Sequence, residues 1–379
     1  IAINPNNGDI LAMASNPTYN PNKLLPQNPV ERSNYYTQLM TNPVVTQDDA
    51  SPFTIVPIQG WFAPGSVFKP IMAIAALASG VITPTTEIYD PGYFLKDPSF
   101  GNWYAPGFGW LDVETAIGLS DDVFFYHLGY DMGIKTMDSW MRQFLLNQKT
   151  GIDLPDEWRS EIPTPARLKA AGLGQWTWGW NLNTVIGQGI ARYTLIALAR
   201  ADSAIANGGT LYQPHLVSSI TTPDGKVVKK FNSVVQGHLN ASPQDFHAVH
   251  VGMEDSAQNP QIVTNAGIDG QGTGYEAMRG FPIPVGTKTG TAQVAGQGNH
   301  YNAFYLTYGP LPHPSILVLV YAREGNWGAD SGLVARAIYD QYFKVKDPAA
   351  QSVYQYIYGL NKKWPFSYTP ADEKALARH

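Results

Sequence analysis

"FAPGSVFKPIMA", Phe62 to Ala73, sets a serine three residues ahead of a lysine in an otherwise apolar stretch. After Gly65 the pattern turns helical: Phe68, Ile71, Met72, Ala75 and Leu77 recur with helical spacing until Gly80 ends the run. Pro70 fits only in a first turn, where its missing N–H has no intrahelical partner to lose. Ser66 then stands at the helix entrance, one turn from Lys69 and on the same face. A serine becomes a nucleophile when a base adjoins it, and a lysine can be that base where its surroundings disfavour the ammonium. The helix N-terminus adds partial positive charge that favours an oxyanion. Taken alone the pair carries little weight, since about one Ser-x-x-Lys match is expected by chance in a chain of this composition.

A second basic motif lies far along the chain. "VGTKTGTAQV", Val285 to Val294, puts Lys288-Thr289-Gly290-Thr291 in an alternating, β-branched run. On a strand, Lys288 and Gly290 share one face while Thr289 and Thr291 share the other. Gly290 lets another backbone come close. Such an edge offers N–H groups to a peptide and a cation to its carboxylate. Another Lys-Thr-Gly, Lys149 to Gly151 in "QKTGIDLP", lacks the alternation and reads as a loop at a helix C-terminus. Strand context, not the tripeptide, singles out the copy at Lys288. The third element is Ser120-Asp121-Asp122 in "AIGLSDDVFFYHLG", between two helical segments, which by itself reads as an ordinary capped helix start.

The rest of the chain organises around these three. Asn7-Gly8 between alternating apolar segments predicts a β-hairpin. The Asn-, Pro-, Thr- and Gln-rich stretch that follows reads as an extended surface excursion. A Gly-, Pro- and Trp-rich loop over 91–110 leads into helices running to Leu146, with Asp112 as a cap, and Thr194 caps another that ends at Asn207. Strands are expected over 210–220, 226–231, 285–295, 301–309 and 315–322, with a Ser242-capped helix over 243–254 and a last helix over 331–343. The hairpin and the three final strands predict one five-stranded antiparallel sheet closed by both chain ends, in an α+β fold. Residues 66–206 would form a mostly helical lobe of a domain spanning 1–346, with 347–379 as a tail, and the cleft between sheet and lobe is the expected ligand site. There is no internal repeat or low-complexity tract.

Composition narrows the function. The chain has 379 residues, 44% of them hydrophobic and 15% charged, and a net charge of −5, which gives no electrostatic reason to expect nucleic acid. The lysines 226, 229 and 230 around "PDGK" read as a solvated hairpin face without an aromatic platform. With no cysteine there are neither disulfides nor thiolate metal sites. No apolar run approaches the roughly 20 residues of a membrane helix. Because Ile1 already lies in a strand-like segment, the chain reads as a fragment whose signal, anchor or N-terminal domain has been removed.

In this order, Ser-x-x-Lys, Ser-x-Asp and Lys-Thr-Gly resemble the motif set of penicillin-binding proteins and serine β-lactamases. "NPNNGDILAMASNPTYNPN", "APGSVFKPIMAIAAL", "FFYHLGYDMGI", "TGIDLP", "IGQGIARYTLIALARADSAIANGG" and "VGTKTGTAQV" are similar to the transpeptidase domain of class B penicillin-binding proteins, most of all the elongation type, penicillin-binding protein 2. The resemblance covers residues 1 to 345. It implies a sheet flanked by helices, a helical lobe, and a peptidoglycan D,D-transpeptidase that β-lactams inhibit covalently. Ser66 would attack the D-Ala-D-Ala carbonyl of a stem peptide, Lys69 would take its proton, and Ser120 would relay a proton to the leaving D-Ala with Lys288 nearby. Backbone N–H groups of Ser66 and Thr291 would hold the oxyanion. Thr289 and Thr291, flanking Gly290, would bind the substrate carboxylate. The resemblance also implies a site outside the cytoplasmic membrane, an N-terminal anchor absent from this chain, and a membrane glycan polymerase as partner.

Two departures from the family pattern stand out. Asp122 occupies a position that is usually Asn; an ionised Asp can only accept hydrogen bonds, so its expected role is to position Lys69. Some elongation-type relatives bind zinc near the site through Asp, His and Cys, whereas residues 85–115 here hold Asp90, Asp97 and Asp112 with no His or Cys, so no metal or other cofactor is expected. His247 and His250 read as an ordinary helix face, and the tryptophans at 103, 110, 176, 178 and 180 as loop packing. A D,D-carboxypeptidase or serine β-lactamase would share the acylation parts, and a non-catalytic β-lactam sensor or scaffold would share the fold.

Overall fold

The computed structural model describes residues 1–25, 29–41, 51–265, 267–293, 301–325 and 327–346. The expected tail at 347–379 lies outside the described residues. Five antiparallel strands form the main sheet, in the order Gly286–Gln293, Tyr301–Gly309, Ile316–Ala322, Ala2–Ile3 and Ile10–Ala12. Both ends of the chain therefore build it, as the hairpin and the three late apolar runs predict. Ala2 faces Val318 and Ile3 faces Leu317, while Lys288 faces Leu306 on the outermost strand. The N-terminal hairpin turn is longer than Asn7-Gly8 alone: Asn4 N–H donates to the Asp9 carbonyl, so the loop takes in residues 4–9.

The Tyr301–Gly309 strand shows why these runs are almost continuously apolar. Phe304, Leu306 and Tyr308 lie on one side, in the same apolar cluster as Phe68, Ile71, Leu198 and Val249. Tyr305 points to the other side, where Ala277, Met278, Ala335 and Tyr339 lie. Helices cover both faces, so alternation brings no polar residue outward. The helix Lys69–Ala78 has every residue from Lys69 to Leu77 buried, on all sides. Its apolar period marks one wall of an entirely enclosed helix rather than an amphipathic face.

Caps fall where short polar side chains precede apolar runs. Asp112 and Ser242 each form a reciprocal capping box, and Thr194 accepts from Ala197 N–H. The Ser242-capped helix runs further than expected, to Gln258. Three sequence expectations need correction. A helix, Pro29–Met40, occupies part of the supposed extended excursion; it buries no residue, so no apolar period announces it, and Pro29 supplies a preset first turn. The 210–220 run splits into Thr210–Tyr212 and Ser219–Thr221, with Pro214 between them. Thr210–Tyr212 pairs with Val235–His238, a strand the sequence reading missed.

What the fold does for the serine is set at one contact. Ser66 lies in a single 3₁₀ turn, Gly65–Phe68, which continues directly into Lys69–Ala78 with Pro70 in the first turn. Gly65 N–H donates to the Gly187 carbonyl at 3.0 Å. Gly187 has φ +71°, and a Cβ there would stand 2.4 Å from the Gly65 carbonyl oxygen. Both backbone conformation and space exclude a side chain. Gly187→Ala is therefore expected to cost about 2 kcal/mol or more. A lowered urea midpoint at unchanged slope would register it, and an unchanged midpoint would show that the contact has room to give.

Candidate active site

The backbone of the serine's turn packs directly against the outermost strand. A Cβ on Gly65 would lie 3.0 Å from the Thr291 carbonyl oxygen, and one on Gly290 would lie 2.9 Å from the Pro64 carbonyl oxygen and 3.0 Å from Val67 Cγ1. The close approach that Gly290 permits is thus made by the serine's own turn. Ser66 is half-buried at this junction, and its carbonyl accepts from Lys69 N–H.

Lys69 is wholly buried, and its ammonium has an acceptor for each of its three protons. Nζ donates to the Ser120 carbonyl at 2.8 Å, the Asp121 carbonyl at 3.1 Å and Asp122 Oδ1 at 2.7 Å. All three acceptors come from one turn. Asp121, not Ser120, caps the long helix Asp122–Gln143, through Oδ1 to Phe124 N–H at 2.6 Å. Ser120 precedes the cap with φ +57°, an uncommon conformation for a residue with a side chain. So arranged, it meets both lysines: its carbonyl accepts from Lys69, and its hydroxyl accepts from Lys288 Nζ at 2.7 Å.

Lys288 also donates to the Thr289 carbonyl at 3.0 Å. Burial pushes its pKa well below the usual lysine range, and the charge of Lys69 pushes the same way, while Asp122 opposes them. These effects disfavour the ammonium form relative to that of an exposed lysine. The two lysines thus meet Ser120 at different atoms and in unlike environments: Lys69 at the carbonyl, in an ion pair with Asp122, and Lys288 at the hydroxyl, with no carboxylate bonded to it.

The structure brings Lys69, Ser120, Asp122 and Lys288 into one hydrogen-bonded group, against the turn that carries Ser66. Thr289 and Thr291 adjoin it with partners of their own. Thr289 Oγ1 donates to Thr273 Oγ1 at 2.9 Å, and Thr291 Oγ1 accepts from Gly328 N–H at 3.2 Å. A chain of hydroxyls continues through Thr273, Ser256 and Thr287, at 3.3 and 3.1 Å. Thr273 and Asn102, whose amide bonds to Asp121 and Asp122, escaped the sequence reading because neither belongs to a motif.

Other sequence features have local structural jobs. The Lys149-Thr150-Gly151 copy folds round a carboxylate: Glu157 accepts from Thr150 N–H at 2.6 Å, Thr150 Oγ1 at 2.8 Å and Gly151 N–H at 2.9 Å. Asp97 holds Ser99, and Asp112 caps a helix. Asp90 accepts from Gly92 N–H, Asn102 Nδ2 and Phe108 N–H. Among the described residues no group of three or more His, Cys, Asp or Glu is placed to hold a metal ion. His250 contacts the Ile205 carbonyl oxygen at 2.9 Å and packs on Tyr308. Trp103 donates to the Leu119 carbonyl, and Trp178 packs among Phe94, Phe100 and Tyr130.

Comparison with known proteins places most of the chain in one family. A family model described as "Penicillin binding protein transpeptidase domain" matches residues 1–344. The peptidoglycan D,D-transpeptidase MrdA of Acinetobacter baumannii is 31% identical over 392 aligned residues, covering 95% of this chain and 53% of its own length. The chain spans about half the length of the curated relatives it matches. Pseudomonas aeruginosa PBP2, solved in complex with WCK 5153, superposes with a TM-score of 0.73 at 28% identity, over 91% of this chain and 73% of that one. A structure described as the coordination of polymerization and crosslinking by a peptidoglycan synthase complex superposes at 0.76 with 26% identity, over 92% of this chain and 56% of that one.

The Lys288 environment makes a pH-dependent prediction. Between its depressed folded pKa and the ordinary lysine value, the unfolded chain binds more protons than the folded one, so stability rises with pH across that window. Lys288→Met removes the effect. Its stability relative to the parent should be most favourable at low pH and decline as pH climbs toward about 10.4. Urea unfolding at a series of pH values measures this, and a pH-independent difference would mean that Lys288 titrates normally.

Proposed function

Since the chain belongs to the penicillin-binding protein transpeptidase domain family, we propose that it is a serine D,D-transpeptidase that crosslinks peptidoglycan stem peptides. The observation that carries this reading is the cluster set against the turn of Ser66, in which Asp122 and the Ser120 carbonyl hold Lys69 at 2.7 and 2.8 Å while the Ser120 hydroxyl accepts from Lys288 at 2.7 Å. It supplies a nucleophile with a neighbouring base and a second proton carrier on the leaving-group side.

In the acylation step Ser66 Oγ attacks the carbonyl between the two D-alanines, and its proton passes to Lys69. To accept that proton Lys69 must enter the step as a free amine, having released one of the three it holds toward Ser120, Asp121 and Asp122. Backbone N–H groups of Ser66 and Thr291 hold the oxyanion. As the tetrahedral intermediate collapses, the C–N bond breaks and a proton reaches the departing D-Ala amine through Ser120, beside Lys288. Thr289 and Thr291 bind the substrate carboxylate along the open side of the strand, which Gly290 keeps close to the serine's turn. An amine from a neighbouring stem peptide then attacks the acyl-enzyme. The new amide forms, the ester breaks, and Ser66 recovers its proton. Asp122 holds Lys69 in register throughout.

Stem peptides lie outside the cytoplasmic membrane, so the enzyme acts there, with a membrane glycan polymerase as its partner. The synthase-complex structure supports that partner class. No helix of the described residues is long and apolar enough to cross a membrane.

A fluorescent penicillin should give a long-lived adduct with the parent and none with Ser66→Ala. Rapid turnover of the adduct would point to a β-lactamase instead. Crosslinking of lipid-linked disaccharide-peptide in the presence of a polymerase distinguishes the enzyme from a sensor that acylates without crosslinking. Asp122→Ala should slow acylation by about tenfold or more between roughly pH 6 and 9. Parent-like rates across that range would remove Asp122 from the mechanism.

A further inference from the structure

The loop between the short strands Ile88–Asp90 and Gly109–Leu111 contributes two side chains, Asn102 and Trp103, to the turn that holds Lys69. Asn102 Nδ2 donates to Asp121 Oδ2 at 2.6 Å and to Asp90 Oδ2 at 2.7 Å. Its Oδ1 accepts from Asp122 N–H at 3.2 Å and from Trp103 N–H at 2.9 Å. Both amide protons are used, and the oxygen takes two donors. The next residue grips the same turn, since Trp103 Nε1 donates to the Leu119 carbonyl at 3.0 Å.

The two carboxyls joined by this amide are both buried, Asp121 at 0% and Asp90 at 1% exposure. Asp90 is anchored to its own loop by Gly92 N–H at 2.6 Å and Phe108 N–H at 2.8 Å. Burial, reinforced by the charge of Asp90, pushes the Asp121 carboxyl well above its ordinary range. A second negative charge beside that of Asp90 is thus disfavoured at Asp121. An amide suits the space between them, because it offers two donors on one atom and an acceptor on the other, without adding charge. The outcome is a rigid link from the 88–111 hairpin to the backbone of the residue whose carboxylate pairs with Lys69.

We propose that Asn102 is a positioning residue for the reaction: it fixes Asp121 and the Asp122 backbone so that the Asp122 carboxylate meets Lys69. The inference rests on the transpeptidase reading above. It differs from a packing role in what it predicts for rate. Loss of packing reduces the amount of folded enzyme and leaves the folded fraction as fast as before. Loss of positioning leaves the amount unchanged and slows every molecule.

The test is a time course of Ser66 labelling by a fluorescent penicillin, read as the final fraction labelled and the rate constant at saturating penicillin. Asn102→Ala should reach the parent's endpoint with a rate constant lowered by about tenfold or more, and with little change in the half-saturating concentration. A parent-like rate constant, with or without a lowered endpoint or melting temperature, overturns the proposal. Should Asn102→Ala not fold, Asn102→Gln and Asn102→Ser, which keep part of the donor set, decide by the same two readings. Failure of the parent itself to acylate overturns the transpeptidase reading and this inference with it. Parental acylation beside an equally fast variant overturns this inference alone.

Discussion

A lysine head group sealed from water is the constraint around which the site is arranged. Away from water, each proton of Lys69 requires an acceptor, and the charge requires a counter-charge. One turn supplies all of it: two carbonyls and a carboxylate from Ser120, Asp121 and Asp122. That demand accounts for several features that look unrelated. Ser120 takes a left-handed conformation, the cap moves one residue on to Asp121, and the long helix opens on an acid. Lys288, equally buried, is met by a hydroxyl and a carbonyl. Two buried lysines that meet the same serine are thereby given different partners, a carboxylate for one and a hydroxyl for the other.

How legible this was depended on whether the information was local. Ser66 and Lys69 are one turn apart, and Pro70 dates the helix start, so spacing sufficed. The sheet was readable because both ends of the chain carry apolar runs bounded by turns. The Lys149 copy of Lys-Thr-Gly lacks alternation, and its threonine and glycine bond Glu157 instead. Where no periodic signal exists, sequence reading failed. The Pro29–Met40 helix buries nothing, so it leaves no apolar stripe to detect. Asn102 finds its partners at positions 90 and 121, within a loop whose path no pattern encodes. Asp121 sits at the variable middle of a motif, and its work as cap and acceptor shows only in three dimensions.

The sheet draws its strands from distant parts of the sequence, with Ala2 beside Val318, and among the described residues the strand bearing Lys288 pairs only with Tyr301–Gly309. During synthesis the whole helical block from 66 to 206 has emerged before any of Gly286–Gln293 exists. Contacts across so long a stretch carry a large loop-closure entropy and form late. The serine, its neighbouring lysine and the turn that grips it can be assembled while the facing wall is still missing. The complete site therefore waits on closure of the sheet, and a nascent chain halted short of that strand carries a nucleophile without the wall that faces it.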